Sequence, residues 1–444
     1  MSGGAAGGAA EEVGRVDALT HEAEGVVHAG KTVFVAGALP GERVRFRRVR
    51  RRKRHDEAEL LEVLEPAAGR TVPRCAHFGV CGGCALQHLA PPLQLEAKQA
   101  ELRDSLERLG RVQPAAWLEP IAGPVWAYRR RARLGARFVP KKGRALVGFR
   151  ERLAPYIAAL EGCEVLAEPV GRLISPLSAL ITELSVREHL PQIELVVADN
   201  ATALVLRLLR QPSAADLERL TAFELRHDVR LYAQSGGPGS ITRLRQVADE
   251  TPLRYRLAAF EIELELGPTD FIQVNGAVNA ALVERAVSLL QVGPDSQVLD
   301  LYCGLGNLTL PLARRAGQVV GVEGEASLVE RARHNARLNQ LPNVGFVTAD
   351  LSQPLDPGLP WLQNPFSHVL LDPPRVGARD VMRTIARIHP RRVLYISCHP
   401  GSLARDVGIL VHEHGFVLEA AGIVDMFPHT THVESLALLA PGAL

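Results

Sequence analysis

Three side chains in the C-terminal half stand where a thiol or carboxylate is hard to explain as packing. Cys398 lies in RVLYISCHP (392–400), just past the apolar run 393–396, so it falls at a strand's end and outside its buried part. Glu434 interrupts the otherwise apolar HVESLALL (432–439), a costly place for a carboxylate without a role. Asp372 closes HVLLD (368–372), and two prolines stiffen the turn that follows. The carboxyl ends of parallel strands open onto the crevice where such sheets bind ligands, so these groups are expected to converge at one sheet edge. A second chemistry is written in VLDLYCGLGNLTLPLA (298–313). A short apolar run carrying Asp300 meets Gly304 and Gly306, which allow a tight turn, and helical apolar spacing resumes from 308 to 316. A strand, a glycine turn and a helix opening place backbone N–H groups and a carboxylate around a bound nucleoside. Glu323 ends the next apolar run about twenty residues on, the place of an acid that receives ribose hydroxyls. Asp350, after a third run at 344–347, suits an adenine amino group. Any nucleoside cofactor would fit these features.

A third chemistry belongs to the cysteines. CAHFGVCGGC (75–84) has C-x5-C-x2-C spacing, with glycines that let the backbone wrap closely around a metal or cluster. Of the remaining cysteines, Cys163, Cys303 and Cys398, only Cys163 lies outside the C-terminal motifs, which makes it the preferred fourth thiolate. Four sulfurs favour a [4Fe–4S] cluster, whereas His77 or His88 would complete a zinc site.

The elements that must hold these groups follow from periodicity. From 271 onward strands and helices alternate, the signature of a doubly wound parallel sheet, with a helix over 277–290 and strands at 297–301, 319–322, 344–347, 368–372, 392–396 and 432–439. Residues 93–109 alternate apolar and charged side chains at helical spacing, and Gly110 is the expected C′ residue. Residues 13–65 read as four or five short strands punctuated by glycine turns, a small closed barrel of the OB type. Two basic stretches interrupt this frame. In 43–54, nine of twelve residues are Arg or Lys; with few acids interleaved, a phosphate backbone is the expected partner. Residues 128–152 alternate arginines with apolar residues around Pro140-Lys-Lys-Gly143, which predicts a β-hairpin with an arginine face.

Composition bounds the rest. The chain has 444 residues, 47% of them hydrophobic, and a net charge of +2, enough for two to four domains with their own cores. The start, MSGGAAGGAA, reads as a disordered tail and not as a signal peptide. No apolar run reaches the length of a membrane span. Six unevenly spaced cysteines suit a reducing compartment, so a cytoplasmic location is expected.

FIQVN (271–275), LDLYCGLGNLTLPLA (299–313), VEG (322–324), LDPPR (371–375), YISCHP (395–400) and HVESLALL (432–439) resemble, in order and spacing, the S-adenosylmethionine-dependent RNA uracil-C5-methyltransferases. The N-terminal strands resemble a TRAM barrel. Together with the cysteine spacing they make the chain similar to the branch of that family acting on bacterial 23S ribosomal RNA, the transfer-RNA branch lacking cluster and barrel. The resemblance covers nearly the whole chain; Tyr302 and Leu308 depart from it by standing where phenylalanine is common. It implies S-adenosyl-L-methionine held by Gln273, Tyr302, Asn307, Glu323, Asp350 and Asp372, with Cys398 as nucleophile and Glu434 as general base. It also implies a [4Fe–4S] cluster on Cys75, Cys81, Cys84 and Cys163. The implied partner is 23S rRNA, presenting a flipped uridine from a single-stranded loop or bulge, with no membrane and no obligate protein partner. The implied architecture is α/β plus β: a tail (1–10), a TRAM barrel (11–70), a central α+β RNA-binding domain with the cluster (71–88 and 120–268), and a Rossmann-like methyltransferase domain (89–119 and 269–444). A different uridine, ribosomal or transfer-RNA, is the alternative target. A nicotinamide-dependent oxidoreductase would have no use for Cys398 and Glu434 at one edge, and a non-catalytic zinc-knuckle RNA binder would not need the sheet motifs.

Overall fold

The computed structural model describes residues 11–248 and 250–442, so the tail expected at 1–10 lies outside the described residues. Two compact units are formed. One reaches to Ala97 and takes in Arg150–Pro155 and Pro428–Thr431; the other holds Lys98–Phe149, Tyr156–Phe427 and the chain from His432.

In the first unit a six-stranded sheet is built from Glu11–Arg15, Ala18–Leu19, Glu24–Ala29, Lys31–Ala36, Arg43–Arg51 and Asp56–Glu65. Glu11–Arg15 pairs with Arg43–Arg51 at one edge, and Ala18–Leu19 pairs with Glu24–Ala29 at the other. The chain between them is also held, Asp17 N–H donating to Val26 O at 2.8 Å, so the sheet curls back on itself. Alternation along Arg43–Arg51 sends Val44 and Phe46 inward to full burial beside Val27, Val33 and Val35. Each such side chain contributes about 1.5–3 kcal/mol.

The same alternation sets acids against the basic run, within which few acids are interleaved. The acids come from neighbouring strands and not from within the run. Arg43 meets Glu65 at 3.2 Å, Arg47 meets Glu59 at 2.7 Å and Arg52 meets Glu57 at 2.8 Å. Arg48 is folded inward against Glu12 (2.7 Å) and Asp56 (2.6 Å). Arg51, Lys53 and Arg54, at the hairpin tip, carry no ion pair among the described residues.

In the second unit the chain from Gln297 alternates strand and helix as expected. Its sheet contains β1 (Gln297–Leu301), β2 (Gln318–Glu323), β3 (Val344–Thr348), β4 (His368–Leu371), β5 (Arg392–Ser397), β6 (Phe416–Val424) and β7 (Glu434–Pro441), in the order 3-2-1-4-5-7-6, with Ala116–Trp117 added beyond β6. β1 to β5 pair in parallel, and β7 runs antiparallel to β5 and β6. Strands covered on both faces need apolar residues at every position; Val298, Leu299, Leu301 and all of Val393, Leu394, Tyr395 and Ile396 are fully buried. β7 starts at Glu434, so this carboxylate opens the strand and does not interrupt it.

A second six-stranded sheet holds the predicted hairpin, Arg131–Val139 with Arg144–Gly148, and Gly143 takes φ 62° in its turn. Ala132, Leu134 and Ala136 face inward, while Arg131 and Arg133 point to the other face, where both pair with Glu194. The helix expected over 93–109 is Pro91–Ser105, extended by a wider turn at Leu106–Gly110. Gly110 is not its left-handed residue; Arg111 is, at φ 53°. Gly110 is needed for approach instead, because an added Cβ would lie 2.6 Å from Ala404 O in the helix Pro400–His414. Among the described residues no helix is long and apolar enough to cross a membrane.

Candidate active site

At the end of β1 the chain turns through Tyr302 (φ 65°), Gly304 (φ 56°) and Gly306 (φ 99°) before the short helix Thr309–Ala313. A left-handed tyrosine is costly and persists only where its surroundings over-determine it. Here the Tyr302 hydroxyl donates to Leu351 O (3.0 Å), tying the glycine turn to the loop after β3. Glu323 ties the same turn to β2. Its Oε2 accepts from Gly304 N–H (3.1 Å), and its Oε1 from Gly324 (2.7 Å) and Glu325 (3.1 Å). Asp350 accepts from the backbone and hydroxyl of Ser352 at 2.9 and 2.7 Å, which holds its carboxyl below the usual range. Asn307 exchanges hydrogen bonds with Asn279, 2.9 Å each way, and accepts from the Tyr255 hydroxyl at 2.9 Å.

These groups enclose a cavity of about 430 Å³, a size suited to a small organic ligand. Gln273, Tyr302, Asn307, Glu323, Asp350 and Asp372 all line it, and Phe271, 65% exposed, stands at its wall. Asp300 also borders the cavity but turns inward. Burial raises its pKa to about 7, and a 2.5 Å hydrogen bond from the Thr309 hydroxyl opposes the rise.

Asp372 links this cavity to the thiol. Its N–H donates to Leu301 O (3.3 Å), fixing the end of β4 against β1, and enclosure by protein raises its pKa to about 7. β5 and β7 supply the remaining groups. Ser397 pairs with Ser435 in their antiparallel register, and Cys398 and Glu434 are the next residues beyond that pair, near enough for the Glu434 charge to act on the thiol. Glu434 is 4% exposed; burial, then the charge of Asp372, raises its pKa to about 8. Burial, then Glu434 and Asp372, push the half-buried Cys398 thiol up to about 11. Asp372 thus raises Glu434, and both carboxylates favour the protonated form of the thiol, so three titratable groups sense one another at this edge of the sheet. Cys303 is buried and its pKa is raised well above the thiol range by burial, as befits packing.

The cysteine motif lies in the first unit. Cys75, Cys81 and Cys84 are half-buried, and Gly83 N–H donates to Cys81 Sγ at 3.4 Å. Bridges from Cys81 to Phe78 and Glu151, with Gly82 N–H donating to Arg150 O (2.8 Å), fix the loop's path. His88 is 2% exposed against Phe78, and burial lowers its pKa to about 4. Cys163 belongs to the second unit, where Gly171 O accepts from its N–H (2.9 Å). Among the described residues no three His, Cys, Asp or Glu side chains gather into a metal-holding group.

Several supporting residues escaped the reading of the sequence. Tyr255 and Asn279 hold Asn307 but carry no motif. Lys98, 2% exposed, donates to Asp425 (2.6 Å) and Phe427 O (2.9 Å), anchoring the segment that leads towards Glu434. One signal existed: Lys98 stands four residues after Gln94 and four before Leu102, on the buried stripe of its helix.

Comparison with known proteins places this geometry. A chain from Alkalilimnicola ehrlichii named 23S rRNA (uracil(1939)-C(5))-methyltransferase is 48% identical over 424 residues, 95% of each chain. A Nitrosococcus oceani protein of the same name is 48% identical over 428 residues, 95% of this chain and 94% of that one. The crystal structure of Pyrococcus abyssi tRNA (uracil-54, C5)-methyltransferase in complex with S-adenosyl-L-homocysteine shares the fold with a TM-score of 0.73 at 23% identity, over 97% of this chain and 100% of that one. The family described as tRNA (Uracil-5-)-methyltransferase matches residues 93–441. This chain belongs to that family.

Proposed function

We propose that the protein transfers a methyl group from S-adenosylmethionine to carbon 5 of a uridine in 23S ribosomal RNA, with Cys398 as nucleophile and Glu434 as base. The observation that carries the reading is the end of the β5–β7 pairing at Ser397 and Ser435, beyond which the Cys398 thiol feels the enclosed Glu434 and the cavity-lining Asp372. The relatives' names support the substrate class, and uridine 1939 is the expected target.

Carbon 5 of uracil is too weak a nucleophile to take a methyl group unaided. Cys398 loses its proton to solvent water and adds as the thiolate at carbon 6, and the displaced electron pair becomes an enolate. Carbon 5 then attacks the methyl sulfonium and the S–CH3 bond breaks, leaving S-adenosylhomocysteine. Ionised Glu434 takes the proton from carbon 5; the pair left behind re-forms the double bond and expels the thiolate. A carboxylate with a raised pKa is a stronger base than an ordinary one, which suits this step. Gln273, Tyr302, Asn307, Glu323, Asp350 and Asp372 hold the methyl donor in this reading, and the target base leaves its stack to reach Cys398.

Cys75, Cys81, Cys84 and Cys163 are proposed to bind a [4Fe–4S] cluster. Four thiols, a glycine-rich loop and an N–H directed at Cys81 Sγ suit that donor set. When bound, the cluster would staple the loop it holds and take no part in methyl transfer. A brown anaerobic preparation containing iron and sulfide is expected; a colourless zinc protein refutes this part.

The test of the function is methylation of 23S rRNA from a strain lacking this modification, with the product nucleotide mapped. A 5-methyluridine at another ribosomal or transfer-RNA position replaces the target, and absence of methyl transfer refutes the reading.

A further inference from the structure

Cys398 is flanked by two elements of one structural knot. β5 enters it, and the helix Pro400–His414 leaves it, capped by His399, whose Nδ1 accepts from Ser402 N–H at 3.0 Å. Within that helix lies Asp406, with no exposed surface. A buried carboxylate is costly unless its oxygens are satisfied. Asp406 Oδ2 accepts from the Tyr395 hydroxyl (2.7 Å), on the strand that enters Cys398. The same oxygen accepts from Ala378 N–H (2.7 Å), on the loop that leaves Asp372. Oδ1 accepts from Arg405 Nε (2.8 Å), and another guanidinium nitrogen of Arg405 donates to Val376 O (2.9 Å) in that loop. The loop fits only because residue 377 is glycine. Gly377 takes φ 84°, and an added Cβ would lie 2.5 Å from both Asp406 Oδ2 and Arg405 Nη2.

We infer that Asp406 is a positioning residue for the reaction: its carboxylate joins the strand before Cys398, the helix after it and the loop after Asp372, and so sets Asp372 and Cys398 in one fixed geometry. An apolar residue would satisfy packing between strand and helix, but it would not bind the Ala378 N–H. The loop from Pro373 to Ala378 would then lose its register against the thiol, and Asp372 would keep its backbone contact to Leu301 O but lose the support of the loop that follows it. Glu323, Asp350 and Gln273, on other segments, keep the cofactor cavity. The inference rests on the assignment of Cys398 as nucleophile.

The experiment compares wild type, Asp406→Asn, Tyr395→Phe and Gly377→Ala in two assays. One follows covalent adduct formation with 5-fluorouridine RNA in the presence of S-adenosylmethionine, and the other measures S-adenosylmethionine binding by equilibrium dialysis. The Asp406→Asn replacement keeps the side chain's size but turns an amide donor towards the knot. Adduct formation in Asp406→Asn is expected to slow on the order of 10²-fold, the scale of an ångström misplacement near the chemistry, with cofactor affinity close to wild type. Tyr395→Phe, which leaves the Ala378 contact, slows it less. Gly377→Ala keeps the carboxylate's charge but forces the loop and Asp406 Oδ2 apart, and it carries the test if Asp406→Asn does not fold. Wild-type adduct rates in Asp406→Asn and Gly377→Ala overturn the inference, as does a cofactor affinity that falls in step with the rate. A wild-type protein that forms no adduct refutes the nucleophile assignment and the inference with it, an outcome distinct from either.

Discussion

The enclosed carboxylate of Glu434 leaves a thermodynamic mark that needs no substrate. Its pKa rises from an ordinary 4.5 to about 8, chiefly through burial and then through Asp372. In the folded protein the group therefore holds its proton over a window in which the unfolded chain has lost it. The folded state binds more protons there, so the contribution of Glu434 to stability is fully present below about pH 4.5 and is lost as pH rises through about 8. Linkage converts this into a stability loss of about 3 kcal/mol between pH 5.5 and pH 8.5. Glu434→Gln removes the titration but keeps the side chain's shape. Whatever the amide costs in hydrogen bonding is the same at every pH, and titrating groups remote from Glu434 cancel when the two proteins are compared, leaving Asp372 and Cys398 as the neighbours whose titration shifts with it. The stability of Glu434→Gln relative to wild type, from urea unfolding at pH 5.5, 7 and 8.5, is thus expected to increase steadily with pH by about 3 kcal/mol. A difference that is flat or that declines with pH would refute the placement of Glu434 as an enclosed, proton-holding carboxylate.

The catalytic consequences run in the same direction. Both the base at about 8 and the thiol at about 11 must lose a proton, so the single-turnover methylation rate should climb from pH 6.5 to pH 9; a rate that falls over that range contradicts the assigned roles. Cys398→Ala is expected to abolish methylation while S-adenosylmethionine binding persists, and retained turnover removes Cys398 as nucleophile. Lys98→Met leaves Asp425 buried without its cation and should destabilise the protein by about 3–5 kcal/mol, seen as a lowered urea midpoint. The double replacement of Lys98 and Asp425 by apolar residues should recover most of that loss, and a neutral single variant would show that the pair holds nothing.

Much of the catalytic half was legible because its signals repeat along the chain. β1 was expected at 297–301 and is found at Gln297–Leu301, and β2, β4 and β5 fall within a residue or so of expectation. Apolar runs, glycine turns and strand-end acids are local statements, and parallel strands covered on both faces are nearly pure in hydrophobic residues. What the sequence hid lies between elements. The acids facing Arg43–Arg51 sit one hairpin away, and only antiparallel pairing makes them neighbours. Lys98 and Asp425 are 327 residues apart. Gly110 reads as a helix stop, yet its reason is a backbone approach to Ala404 that no local pattern announces.

Glu434 shows how one such relation changes the meaning of a residue. Taken as an interruption inside an apolar strand, it is an anomaly that calls for a function. As the first residue of β7 it is explained by direction. β4 and β5 run parallel and deliver what lies at their C-terminal ends, Asp372 and Cys398, to one edge of the sheet. A parallel neighbour would bring another strand end there. β7 runs against β5, so it delivers its beginning, and the segment anchored by Lys98 supplies the entry. The antiparallel strand is therefore the architectural means by which a third polar residue reaches the edge without a carboxylate being placed in the middle of the sheet, where burial would leave it no access to a substrate.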